Sequence, residues 1–296
     1  MLRRYVPSKW QMARLRFWAY RPSALPRTQR LFNGVTPGLL LERPLFGKRF
    51  ACDVSRNGPQ QLLYLEGERF ISEAQLIRGL IKPHFRAIDI GANIGYMTLL
   101  MSSIINRPGS IVAIEPSPEN LLELRRNVEI NHLSNSIEII EAAVGDVAGD
   151  IDLRGGINSG VAADGEAAPY RVRIDRLENL IEEPVDFIKM DIEGYEVRAI
   201  NGAMRILVEQ RPTLFLEVHP SLIRANGDSV EHLLQILRRI YSSTRYYESN
   251  RVGGITRKLV RQYFGTGQVT EIRDIEKRIT PELDHNGSPF WMVCSP

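Results

Sequence analysis

Short apolar runs recur through the middle of the chain, and stretches with helical spacing of their apolar positions separate them. The first run, Phe85-Arg86-Ala87-Ile88-Asp89-Ile90, carries one acid, Asp89. It breaks into the turn Gly91-Ala92-Asn93-Ile94-Gly95 and continues as Tyr96 to Met101, which reads as a helix. A second run, Ser110 to Ile114, ends on Glu115; Ser117 then opens a helix reaching Asn131, with Leu121, Leu122, Leu124 and Val128 on its inner side. Ser136 to Val144 reads as a third strand. Val185 to Met190 is a fourth and ends on Asp191, and Thr213 to Val218 is a fifth, followed by His219. Between those two, Glu196 to Glu209 is helical with a break at Gly202. Strands alternating with helices predict a parallel sheet wound on both faces.

The flanks are less regular. Pro22, Pro26, Pro37 and Pro44 make residues 21–45 read as a loop. The turn signal Ser55-Arg56-Asn57-Gly58-Pro59 predicts two antiparallel strands between Arg49 and Leu65. Ser72 and Glu73 suit the start of a helix over Ala74 to Ile81. Gly145 and Gly149 bracket a turn into Ile151 to Leu153, Arg171 to Ile174 reads as a strand, and Asp175 caps a short helix. Ser229 to Ile240 has the pattern of an amphipathic helix, Thr244 to Tyr247 of a strand, and Phe290 to Cys294 of a final strand. Residues 250–286 are mixed and basic.

Composition adds limits. The 296 residues, 43% hydrophobic and 25% charged, suit an ordinary soluble globular protein with one large α/β domain and additions, or two small domains. No apolar run approaches the roughly 18–20 residues that cross a bilayer. Cys52 and Cys294 form neither a disulfide framework nor a zinc pattern, which with the absence of a signal-like apolar core predicts a cytoplasmic protein. A net charge of +3 does not call for nucleic acid, but its distribution is uneven. No acid precedes Glu42, and residues 1–30 carry Arg3, Arg4, Lys9, Arg14, Arg16, Arg21, Arg27 and Arg30 among Trp10, Phe17 and Trp18. Such an arm suits peripheral contact with anionic lipid, a loose or docked extension, or a transit peptide.

In a doubly wound sheet ligands bind at the carboxyl ends of the strands, which selects Asp89, Glu115, Ala143, Asp191 and His219. The turn lacks the middle glycine of a dinucleotide fingerprint; Asn93 stands there, which suits a nucleoside ligand without a pyrophosphate, such as S-adenosylmethionine. Asp89 is placed to meet the amino group of its methionine part. Glu115 suits the ribose hydroxyls or, more simply, the N-terminus of the following helix. Ala142 and Ala143 leave room for an adenine ring. Asp191, Glu193 and Glu196 fall within six residues and are costly to bury without partners; Glu193 and Glu196 alternatively face solvent in a first helical turn. Strand alternation puts Glu217 and His219 on one face.

Taken together, Asp89-Ile-Gly91-Ala-Asn93-Ile-Gly95, Glu115-Pro116, Lys189-Met-Asp191-Ile-Glu193-Gly194 and Glu217-Val-His219 resemble the FkbM family of S-adenosylmethionine-dependent methyltransferases. The resemblance covers about Ala51 to His219, with the approach Gly67 to Glu73. It implies a Rossmann-like, class I sheet, mostly parallel, with an antiparallel strand near the C-terminus supplied by residues 289–294. It also implies O-methylation of a hydroxyl on a sugar, glycolipid or other natural product, with Glu73, Asp89, Gly91, Asn93, Gly95, Glu115 and Ala143 holding the cofactor. The arrangement expected is a basic N-terminal arm and linker over 1–48 and a methyltransferase domain over 49–296, its nucleotide-binding core at about 83–219.

Methyl transfer from a sulfonium chiefly requires an acceptor oxygen held in line and relieved of its proton. Asp191 or His219 is placed for that task, His219 having the intrinsic pKa nearer neutrality. Structural hydrogen bonding is the other role open to His219. A divalent metal between Asp191, Glu217 and His219 is a second way to polarise the hydroxyl. A nicotinamide-dependent oxidoreductase and a non-catalytic nucleoside-binding scaffold remain the alternatives. The acceptor is not legible, since its pocket belongs to loops such as 154–170 and 221–286.

Overall fold

The computed structural model describes residues 40–55, 60, 63–64, 71–155, 161, 168–249, 269–279 and 289–296. The basic arm, the turn expected at Arg56 to Pro59 and most of 250–286 lie outside them. The chain divides into two compact units, Met1–Gln75 with Asn250–Gln268, and Leu76–Ser249 with Val269–Pro296.

In the first unit, β1 (Leu40–Leu45) and β2 (Lys48–Asp53) form an antiparallel hairpin. This corrects one expectation, a loop through residue 45: the chain turns at Phe46 and Gly47, both with positive φ. The turn expected around Asn57-Gly58 lies outside the described residues, while Gln60, Leu63 and Tyr64 are helical where a second strand was expected. Phe50, Ala51 and Cys52 are all buried, while Arg49 pairs with Glu42 across the strands. Helix α1 (Ile71–Leu80) takes in Ser72 and Glu73, so it begins three residues before the expected Ala74.

The second unit is built on an eight-stranded sheet. Its first strands are β3 (Ala87–Ile90), β4 (Ile111–Ile114) and β5 (Ile137–Ile140), with β9 (Phe187–Met190) and β10 (Thr213–Val218) following β6 to β8 of a smaller sheet. Beyond them come β11 (Ser243–Ser249), β12 (Val269–Glu271) and β13 (Phe290–Ser295). Spatial order is β12-β11-β13-β10-β9-β3-β4-β5. The run β5-β4-β3-β9-β10 is parallel, and β13 lies antiparallel between β10 and β11, as the expected C-terminal strand does. From β3 the chain winds first toward β5 and later toward β10, so the winding reverses between the neighbours β3 and β9. That crevice is where such sheets bind ligands.

Alternate residues of each strand face opposite layers. Ile88, Ile90, Val112, Ile114, Ile188, Met190, Leu214, Leu216 and Val218 join one core with Val197 and Ile200 of α5 (Glu196–Asn201), Ile206 and Leu207 of α6 (Met204–Gln210) and Leu233, Leu234 and Leu237 of α8 (Val230–Ile240). Each such side chain removed from water contributes about 1.5–3 kcal/mol. The intervening residues, Asp89 among them, face the other layer, where Thr98 of α2 (Tyr96–Ser102) reaches Asp89. Helix α3 (Pro118–Glu129) follows β4, short helices α4 (Leu177–Leu180) and α7 (Pro220–Ala225) follow β8 and β10, and α9 (Ile275–Arg278) follows β12. Ser229 caps α8 by accepting a hydrogen bond from the His232 amide.

The third strand is shorter than its apolar run. Pairing with β4 stops at Ile140, and β6 (Ala143–Val144) leaves for the small sheet, order β6-β8-β7, with β7 (Gly149–Leu153) and β8 (Tyr170–Asp175). Asp175 accepts from the Arg176 amide and Asn179 Nδ2, tying the start of α4. No helix among the described residues is long and apolar enough to cross a membrane.

Candidate active site

The carboxyl ends of β3 and β9 meet backbone to backbone. Gly91 has φ +74°, and a Cβ on it would sit 1.9 Å from the Asp191 carbonyl oxygen, so only glycine fits. The Gly91 and Ala92 amides both donate to the Ile114 carbonyl, which fixes the turn beside β4. Asn93 and Gly95 also have positive φ, a conformation asparagine tolerates better than other side-chain-bearing residues. The Asn93 amide donates to Glu115 Oε2 at 2.8 Å.

Glu115 is thus a hub. Its Oε1 accepts from the Ser117 amide at 3.0 Å and from Asn120 Nδ2 at 3.2 Å, so it ties the start of α3 as well as the glycine turn. Burial raises its pKa, opposed by the Ser117 and Asn93 amides. Of the two roles expected of it, the tie to the start of the following helix is the one observed.

Asp89 departs from expectation. It is fully buried, and Lys189 stands directly opposite it in the β3–β9 register. Lys189 Nζ lies 3.1 Å from Asp89 Oδ1 and donates to the Gly91 carbonyl at 3.0 Å, while Thr98 Oγ1 donates to Asp89 Oδ2 at 2.6 Å. Burial works against the Lys189 charge, but Asp89 and Asp191 outweigh it and hold the pKa above the usual lysine value. The Asp89 carboxylate is matched inside the protein and does not present itself to a ligand's amino group. Ala143 is corrected too: it opens β6 of the small sheet, paired with Ile174, rather than ending a strand of the main one. Glu73 is buried in the first turn of α1, in the other unit.

After β9 the chain passes through Glu193 (φ +52°) and Gly194 (φ +98°) into α5. Gly194 packs against Leu222 of α7, and Asn226 Nδ2 donates to its carbonyl, so the loop is held from both sides. Glu196 is not the solvent-facing acid that a first helical turn allows. It is fully buried; its Oε1 accepts from the Gly194 amide at 3.0 Å and lies 2.9 Å from His219 Nδ1, which donates to it.

The opposite edge of the His219 ring faces three more acids. From Nε2 the distances are 3.7 Å to Glu193, 3.8 Å to Asp191 Oδ1 and 3.9 Å to Glu217. Asp191, Glu217 and His219 each offer a ligand atom within 4.8 Å of the others. Burial pushes the His219 pKa down, but the Glu196 hydrogen bond, Asp191 and Glu217 overcome it and push it up to about 10. The argument for His219 as the base, its unperturbed pKa, therefore fails in this setting. Burial raises the Glu193 pKa, opposed by His219. Asp191 is the more open member, its side chain 31% exposed against 8% for His219.

Strand ends thus bring Gly91, Asn93, Gly95, Glu115, Asp191, Glu217 and His219 to one end of the sheet, with Asp89 beneath them. Sequence reasoning passed over Lys189 and Glu196. Their signals were a lysine two residues before Asp191 on the same strand face, and a third acid too many for one short stretch.

Strand order β5-β4-β3-β9-β10-β13-β11, antiparallel only at β13, with a glycine turn at the reversal point, defines a Rossmann-like fold of the class I methyltransferase type. The methyltransferase FkbM domain matches residues 89–244, just over half of the chain, and the chain belongs to that family. Among solved structures it is similar to methyltransferase FkbM from Methylobacillus flagellatus KT, at 23% identity and a TM-score of 0.44. That similarity covers 60% of this chain and 44% of that one, so this chain spans less than half of its relative's length. It is also similar to a precorrin 8w decarboxylase from Methanobacterium thermoautotrophicum (14% identity, TM-score 0.44, 83% of this chain and 96% of that one). An rRNA methylase from Streptococcus thermophilus gives 12% identity and a TM-score of 0.43, over 77% of this chain and 98% of that one. No curated protein matches the chain at a significant level.

Proposed function

We propose that this protein transfers the methyl group of S-adenosylmethionine to a hydroxyl oxygen on a sugar, glycolipid or other small natural product. Family membership supports methyl transfer. The observation that carries the cofactor reading is Glu115. It is buried at the end of β4 beside the glycine turn, and among the described residues Oε2 takes one hydrogen bond, from Asn93. A carboxylate oxygen accepts two hydrogens, so a ribose hydroxyl has a place on it. Because Lys189 matches Asp89, the cofactor's amino group must find its partner elsewhere.

The cofactor supplies an activated methyl group when bound. This chain's own part is to hold the acceptor and manage its proton. Asp191 is placed for that, at the reversal point and open on one side, whereas His219 is enclosed and anchored through Nδ1. Asp191 accepts or orients the acceptor proton, and His219 holds the acid cluster in register.

Incubation with methyl-labelled S-adenosylmethionine and a cell extract, followed by identification of the labelled product, tests this reading. A base-stable methyl ether in the small-molecule or glycan fraction is expected. Label on protein or nucleic acid, or none, contradicts it.

A further inference from the structure

We propose that Asp191, Glu217 and His219 form a binding site for one divalent cation of the Mg2+ or Mn2+ kind. The two edges of the His219 ring behave differently. Nδ1 closes on Glu196 to 2.9 Å, the ordinary length of a charged hydrogen bond. Nε2 stands 3.7–3.9 Å from three carboxylate oxygens and hydrogen-bonds to none of them, although the side chain is only 8% exposed. Two atoms each about 2.0–2.2 Å from a shared ion lie about 3–4 Å apart, so this stand-off is the spacing that an ion needs.

Two further features point the same way. Asp191 Oδ1 is shielded from solvent yet accepts no hydrogen bond among the described residues, which leaves a buried acceptor aimed at Nε2 without a donor. Charge is also unbalanced. Asp191, Glu193, Glu196 and Glu217 surround one ring, while Lys189 is committed to Asp89 at 3.1 Å and stands 3.9 Å from Asp191. Arg154 is the other cation acting on Glu193. Concentrated, largely buried negative charge favours a bound cation.

The donor set selects the ion class. Carboxylate oxygens with one imidazole suit Mn2+ or Mg2+, and no thiolate joins them to favour a closed zinc site. Glu196 serves as the outer carboxylate that fixes the ring tautomer and aims Nε2 inward. Its use rests on the methyl-transfer reading: an acceptor hydroxyl bound to it at the open side of Asp191 gives up its proton more readily.

The test uses the full chain, stripped with a chelator and titrated with Mn2+. Paramagnetic resonance of free Mn2+ counts the bound ion, and spin-echo modulation detects nitrogen coupled to it. One Mn2+ per chain with nitrogen coupling is expected, the coupling lost in His219→Gln and the affinity at least tenfold weaker in Glu217→Gln. No binding at millimolar Mn2+, binding without nitrogen coupling in the wild type, or equal affinity in Glu217→Gln overturns the proposal. The wild-type coupling does not depend on any variant folding. S-adenosylmethionine binding, measured alongside, keeps the two readings apart. Mn2+ bound without the nucleoside leaves the ion site standing and removes the methyl-transfer reading, and the reverse result does the opposite.

Discussion

The glycine turn after β3 and the acid cluster after β9 and β10 lie at the same end of one sheet and treat charge in opposite ways. Beneath the turn, Asp89 is sealed from water and answered by Lys189 and Thr98. In the cluster, four acids crowd His219, and three of them stop short of bonding to it. A fully buried ion pair is a framework: Lys189 answers the Asp89 charge and holds the turn through the Gly91 carbonyl. In the cluster Asp191 Oδ1 is shielded yet accepts no hydrogen bond among the described residues, which is what a binding group shows. The expectation that Asp89 meets the cofactor fails for this reason, and the expectation that Asp191 works on the acceptor survives as a proposal.

The largest effect should come from breaking the framework. Lys189→Met leaves the Asp89 charge buried without a partner and should cost about 3–5 kcal/mol in urea unfolding. Adding Asp89→Asn should recover a large part of that loss; a loss under about 1 kcal/mol in the single variant would mean that the pair does not hold the turn.

Next is Asp191→Asn on the cluster side. Turnover should fall at least about 100-fold, with S-adenosylmethionine affinity within about threefold of wild type. Equal losses in both would place Asp191 in the cofactor site instead. Glu115→Gln should show the converse pattern, a roughly tenfold weaker affinity for S-adenosylmethionine, about 1.4 kcal/mol, read by calorimetry. An unchanged affinity would leave Glu115 as a helix tie only.

The smallest effect supplies the scale. Arg125 and Glu141 form an ion pair on the surface, and Arg125→Ala should change stability by no more than about 1 kcal/mol. If it matched Lys189→Met, burial would not be what makes the Asp89–Lys189 pair matter.

Much of this arrangement could be read from the chain before any coordinates. Strand-to-helix alternation and the rule that ligands gather at strand ends were enough to pick Glu115, Asp191 and His219. What stayed hidden depends on neighbours far apart in sequence. Lys189 answers Asp89 only because β3 and β9 lie side by side in that register. Glu196 is buried because the β10–α7 corner brings His219 onto it, whereas an acid in a first helical turn is ordinarily solvated. The hairpin closed by Phe46 and Gly47 was missed because Pro44 argued against a strand that tolerates it. Ala143 was misplaced because one apolar run serves two sheets, and only pairing shows where the first ends.

The account turns on what the glycine turn and Glu115 hold. Calorimetric titration of the full-length protein with S-adenosylmethionine and, separately, with NAD decides it. Saturation by one S-adenosylmethionine per chain, with no heat from NAD, is predicted. NAD binding with no heat from S-adenosylmethionine would contradict it.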